Sequence, residues 1–151
     1  MAPSQAYLID TNILLRISRH SDPQHELIGA SLKELEKLGA LLCYAPQNIA
    51  EFSNVCTRPA RNNGFGLSIG ETDERVESIE RKMTLLADSE RVYSIWRRLV
   101  VEHNVRGVQV HDAHLAATMQ AHGVGRILTL NGPDFLRYAD VQAVHPSAVV
   151  S

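Results

Sequence analysis

The sequence predicts a three-layer α/β/α sandwich built on a central, mostly parallel sheet. Three observations carry that expectation. Short apolar runs of strand length, YLI at 7–9, ALLCYA at 40–45 and RILTL at 126–130, alternate with longer segments whose apolar residues recur every three or four positions. The periodic segments lie between the runs, and parallel neighbours need such crossovers, which are right-handed. The helical segment 110–122 has a packing side of small residues, Ala113, Ala116, Ala117 and Ala121, which lets it lie close against a sheet.

In chain order, the first strand (7–9) is followed by a helix from about Ile13 to Arg19, which Ser21, Asp22 and Pro23 interrupt. Leu27, Ile28, Leu32, Leu35 and Leu38 give a second helix over 24–38, with Gly39 as its stop. After the strand at 40–45, Pro46 opens a helix with Ile49, Phe52, Val55 and Cys56 on one stripe. Residues 57–73, TRPARNNGFGLSIGETD, are rich in Gly and Asn and read as a mobile surface loop. Residues 74–82 read as helix and MTLLA as a short strand. From the cap Ser89, a helix with Tyr93, Trp96, Leu99 and Val100 as its packing stripe reaches His103. The small-residue helix 110–122 closes at Gly123, and strand 126–130, a helical turn at 133–138, a last strand at 141–144 and a short tail complete the chain.

A length of 151 residues fits one domain, 1–151, with a single core. Fifteen basic against 17 acidic residues give a net charge of −2, so no global positive field attracts nucleic acid, which excludes a simple nucleic-acid-coating protein. Cys43 and Cys56 are too far apart for a CxxC motif and read as buried free thiols in a reducing cytosol. MAPSQAYLID has neither a basic leader nor a long apolar segment, and no run reaches the roughly 18 apolar residues of a membrane span. The expected location is cytoplasmic, with no membrane partner.

LIDTNILL at 8–15 interrupts an apolar run with Asp10, Thr11 and Asn12 where strand meets helix. One such residue would serve as a cap. The other acids suggest more. In parallel sheets ligands bind beyond the carboxyl ends of the strands. Asp10 follows the first strand, Glu51 lies one to two turns into the helix after the second, Asp112 begins the helix leading to RILTL, and Asn131 follows that strand with Asp134 three residues on. Carboxylates gathered there would repel one another unless a cation is present, and Mg²⁺ or Mn²⁺ suits an all-oxygen donor set better than zinc.

These segments, LIDTNILL, APQNIAEFSNVCTRP, GVQVHDAHLAATMQAHGV and ILTLNGPDF, taken in this order, resemble the PIN-domain ribonucleases and, among them, the VapC-like toxins of toxin–antitoxin pairs. The resemblance covers nearly the whole chain. It implies metal-dependent hydrolysis of RNA phosphodiester bonds with Mg²⁺ or Mn²⁺ as cofactor. It further implies an antitoxin protein as partner and pairing of two copies as a homodimer. By the resemblance Asp10, Glu51 and Asp112 match the metal-site acids, and Thr11 and Asn12 orient the first of them. The chain departs from the family at Asn131, where an Asp often stands; an amide brings no charge, and Asp134 is the neighbouring acid that could compensate.

Other readings compete. Asp112 and Asp134 also suit helix starts. His111 and His114 stand at i,i+3, but no third His or Cys lies at zinc-ligand spacing. Arg16, Arg19, Arg58 and Arg61 could meet phosphate, although surface arginines are mostly just solvated. Tyr93 and Trp96 read as core, and Phe65 between two glycines as a contact residue. A catalytically weak PIN-like module that binds RNA or protein is the alternative function. An aspartyl-phosphate phosphatase fails for want of a DxD after the first strand, and a nucleotide-binding protein for want of a glycine-rich phosphate loop.

Overall fold

The computed structural model describes residues 5–150, so the MAPS segment of the leader reading and Ser151 lie outside it. Five parallel strands form one sheet: β1 (Ala6–Ile9), β2 (Leu41–Tyr44), β3 (Thr84–Leu85), β4 (Arg126–Leu128) and β5 (Gln142–Val144), in the order β3-β2-β1-β4-β5. The chain runs outward from β1 to β2 and β3, then returns to add β4 and β5 on the other side. The topological switch point therefore lies between β1 and β4, where the carboxyl ends of two adjacent strands diverge into different crossovers.

Among the described residues seven α-helices flank the sheet: α1 (Thr11–Ile17), α2 (His25–Lys37), α3 (Pro46–Thr57), α4 (Ile69–Lys82), α5 (Glu90–Glu102), α6 (Gln109–His122) and α7 (Pro146–Val149). Side chains alternate along the central strands, as a sheet buried on both faces requires. Leu8, Cys43 and Ile127 enter the core beneath α5 and α6, while Tyr7, Ile9, Leu42, Tyr44 and Leu128 enter the core shared with α1–α4. Burial of each fully enclosed Leu or Ile contributes about 1.5–3 kcal/mol. Ala113, Ala116 and Ala117 lie buried, so the small-residue side of α6 does meet the sheet. Gly123, at φ +70°, ends α6 in the left-handed conformation that a residue with a Cβ resists.

Several boundaries differ from expectation. Helix α1 starts at Thr11, two residues early, because Asp10 is its extended cap residue. Helix α4 starts at Ile69, inside the segment expected to be loop, because Ser68 and Glu71 form a reciprocal capping box: the Glu71 N–H donates to Ser68 Oγ (3.0 Å) and the Ser68 N–H to Glu71 Oε1 (3.1 Å). The rest of that segment is tied down. A 3₁₀ turn spans Ala60–Asn62, and the N–H groups of Phe65 and Leu67 donate to the carbonyls of Val55 and Cys56. Phe65 is half-buried against the core with the Arg19 guanidinium 4.2 Å above its ring, and Arg16 pairs with Asp22, so these side chains are held within the protein. The tail carries α7, with Pro146 as its first residue. On α5 the buried stripe is Val92, Ile95 and Leu99; Tyr93 is 60 % exposed, a correction to its expected core position.

A Cβ at Gly64 would lie 1.9 Å from the Arg58 carbonyl oxygen. Backbone cannot yield as a flexible side chain would, so Gly64→Ala is expected to destabilise the protein by about 2 kcal/mol or more, read as a lower midpoint in urea with an unchanged slope.

Candidate active site at the sheet's carboxyl edge

Strand β1 delivers Asp10 to the switch point. The Asp10 N–H donates to the Leu128 carbonyl of β4, which fixes the backbone there (3.0 Å). Asp10 is buried, yet its carboxylate is well supplied with donors: Oδ1 accepts from the Thr11 N–H (2.8 Å), and Oδ2 accepts from Thr129 Oγ1 (2.7 Å) and more weakly from Asn12 Nδ2 (3.4 Å). Burial raises its pKa; the bonds from Thr129 and Thr11 oppose that, and the charges of Glu51 and Asp134 add to it.

Thr11 acts in two directions. Its N–H steadies Asp10, while its hydroxyl donates to Glu51 Oε1 (2.7 Å) and accepts from Asn48 Nδ2 (3.1 Å). Asn48 is fully buried at the start of α3, and its Oδ1 accepts from the Ala45 N–H, closing the helix start (2.8 Å). One hydroxyl thus couples the first strand's turn to the helix that carries Glu51. On the other oxygen, Glu51 Oε2 accepts from Gln47 Nε2 (3.2 Å).

Asp112 lies in the first turn of α6, half-buried, with its pKa raised to about 6. Desolvation is the largest cause, followed by the charges of Asp134, Asp10 and Glu51, with His111 acting in the opposite sense. Asp10 and Asp112 are thus each raised in part by the charges of Glu51 and Asp134 across this edge. Among the described residues no three His, Cys, Asp or Glu side chains already close around a metal position. The donor set is nonetheless all oxygen, negatively charged and partly desolvated. That fits a hard cation which keeps several waters and takes only one or two carboxylates directly.

Asn131 and Asp134 stand on the exposed side of the edge. Strand β4 ends at Leu128, so Asn131 lies beyond two further residues rather than directly after the strand. Its N–H donates to Thr129 Oγ1 (3.0 Å). Asp134 lies in a 3₁₀ turn, Gly132–Phe135, whose Phe135 is buried.

Two participants were not anticipated from the sequence. Thr129 is 1 % exposed and donates to Asp10 while accepting from the Asn131 N–H; its signal was a hydroxyl at the end of an otherwise apolar strand in ILTLN. Gln47 is the other, visible only as an amide four residues before Glu51. Of the two histidines, His111 is exposed and His114 Nδ1 lies 2.8 Å from Gln47 Oε1.

Fold and site together define a parallel α/β/α protein with acids gathered at its topological switch point. The chain belongs to the PIN domain family, whose model matches residues 7–141. Among solved structures it is similar to VapBC2 from Rickettsia felis bound to a DNA fragment from their promoter, with a TM-score of 0.71 at 14 % identity over 93 % of this chain and 98 % of that one. It is similar also to Mycobacterium tuberculosis VapC20, a sarcin–ricin loop cleaving toxin (0.65, 12 % identity, 87 % and 95 % covered). A third similar structure is FitAcB from Neisseria gonorrhoeae (0.61, 20 % identity, 93 % and 98 % covered). No curated protein matches the chain by sequence. No helix among the described residues is long and apolar enough to cross a membrane.

Proposed function

We propose that this protein is a divalent-metal-dependent ribonuclease and the toxin of a toxin–antitoxin pair. The observation that carries the reading is the gathering of acids at the switch point: Asp10 is buried and Asp112 half-buried there, and the charges of Glu51 and Asp134 act on both. A fold does not place anionic groups together at this cost without a counterion. Asp10 and Asp112 would hold Mg²⁺ or Mn²⁺, with Glu51 at its margin or at a second ion, and Asn131 or Asp134 at the exposed rim. When bound, such a cation neutralises phosphate charge and makes water acidic enough to attack at neutral pH.

The chain's own side chains do the rest. Thr129, the Thr11 N–H and Asn12 hold the Asp10 carboxylate in one orientation, leaving lone pairs for a cation. Glu51, held at both oxygens by Thr11 and Gln47, is restrained to orient a water or accept its proton. Asn131 presents a neutral amide toward substrate.

The antitoxin is the partner we assign to a largely apolar trough of about 460 Å³ among α1–α4, lined by Leu14, Ile17, Leu32, Ile79 and Met83. Lys33, Arg75 and Lys82 rim it against the one acid Glu36, which suits a segment that is apolar on one face and acidic beside it. Pairing of two copies belongs to the same reading.

The test is incubation of purified protein with mixed cellular RNA and millimolar Mg²⁺ or Mn²⁺, with and without EDTA, followed by mapping of the new RNA ends. Cleavage at discrete sites that stops with chelator is expected. Cleavage that persists in EDTA overturns the metal dependence. RNA bound but left intact favours the binding module, the reading to which the uncharged Asn131 lends support. Light scattering on the same sample reads the pairing.

A further inference from the structure

Gln47, a residue with no role in the reading above beyond holding Glu51, joins the two helices that carry the acids. It is the second residue of α3, and its side-chain amide makes three hydrogen bonds. Nε2 donates to Glu51 Oε2 (3.2 Å) and to the His111 carbonyl oxygen of α6 (2.9 Å), while Oε1 lies 2.8 Å from His114 Nδ1. Chemistry fixes the orientation of this amide. A carboxylate and a backbone carbonyl only accept, so the NH₂ group must face them and Oε1 must face the ring, whose Nδ1 therefore carries the hydrogen. The His114 ring is backed by Trp96, edge-on at 6.2 Å between centroids, and the Trp96 Nε1–H donates to the Val110 carbonyl (2.9 Å). Among the described residues no other hydrogen bond joins α3 to α6.

Helix α3 carries Glu51 and α6 carries Asp112, next in sequence to His111. These two carboxylates repel, and among the described residues the hydrogen bonds between the helices that bear them all run through one amide. Oε1 of Glu51 is fastened to the β1–α1 turn by Thr11, and Oε2 is fastened toward α6 by Gln47. Without Gln47 one oxygen of Glu51 is free, and the first turn of α6 loses its tie to α3. We propose that Gln47 is a positioning residue that sets Glu51 against the first turn of α6, and through this spacing tunes the affinity of the gathered acids for a hard divalent cation. The inference rests on the metal-dependent reading.

The experiment measures Mn²⁺ binding directly, by the loss of the free-ion EPR signal on titration into wild type, Gln47→Leu and Gln47→Met, with the melting temperature of each recorded in EDTA. Removal of a group that orients a metal ligand characteristically weakens binding about 10- to 100-fold. That weakening is expected for both variants, with melting temperatures in EDTA close to wild type. In a Glu51→Ala background, Gln47→Leu should weaken the remaining Mn²⁺ binding by clearly less than it does in wild type, since part of its effect passes through Glu51. Wild-type binding with equal affinity in both Gln47 variants overturns this proposal and leaves the metal reading standing, as does a full, additive loss in the Glu51→Ala background. Failure of the wild type itself to take up Mn²⁺ overturns both.

Discussion

Asp10→Asn is expected to lower RNA cleavage by on the order of a thousandfold or more, because residues acting as one catalytic unit fail together when any member is removed. The substitution is chosen to separate chemistry from folding. Asn serves as well as Asp as a helix cap, so α1 should still begin at Thr11. Its amide oxygen can keep the Thr11 N–H, and its NH₂ group can donate to Thr129 Oγ1 once that hydroxyl turns its own hydrogen away. What disappears is a buried negative charge that folding holds out of water. The variant should therefore melt no lower than wild type in EDTA while leaving RNA intact. Single-turnover cleavage, with circular dichroism to confirm the fold, reads both halves. Wild-type cleavage by the folded variant would remove Asp10 from the proposed mechanism, whatever the fate of the other acids.

How far the sequence reveals this site depends on which interactions are local. Strands β1, β2 and β4 were legible because a strand buried on both faces is a compact apolar run bounded by polar residues, and the expected acids stand out locally because Asp10 follows β1, Glu51 lies in the helix after β2 and Asp112 begins α6. The hydrogen bonds that hold these acids were not. Thr11 reaches Glu51 across 40 positions and Thr129 reaches Asp10 across 119, pairings that only the closed sheet creates. Thr129 is hidden for a second reason: Thr is a normal strand residue, so nothing local marks it as a donor to a carboxylate. The early start of α4 was readable in principle from Ser68 and Glu71, but Gly and Asn around them masked the box. On α5 the spacing of Tyr93, Trp96 and Leu99 competes with that of Val92, Ile95 and Leu99, and periodicity alone does not choose between stripes one residue apart. Packing does, by burying the smaller aliphatic residues and leaving Tyr93 at the rim.

Asp112→Asn is expected to separate stability from metal binding in opposite directions. With a native pKa of about 6 against an ordinary carboxylate value of 3.8, the folded protein binds more protons here than the unfolded chain between those pH values. Stability without metal therefore falls as pH rises through about 4 to 6 and stays at its lower level at neutral pH. Removing the charge should recover that loss. Asp112 is half-exposed, so solvent screening limits the gain to about 1 kcal/mol, or ~2–4 °C in melting temperature. A hard cation reverses the sign for wild type. Protons and metal compete for the same carboxylate, so stabilisation by millimolar Mg²⁺ or Mn²⁺ should grow as pH rises through about 6 and shrink below it. In the variant that metal-induced rise should be small at every pH. Thermal melts of both proteins between about pH 4.5 and 8, with EDTA or with Mg²⁺, give four curves. In EDTA the variant should lie above wild type at neutral pH and converge with it in acid; in Mg²⁺ wild type should gain and the variant should not. If wild type shows no pH-dependent gain from the ion, the raised pKa of Asp112 does not mark a cation site, and the acids gather here for some reason other than cation binding.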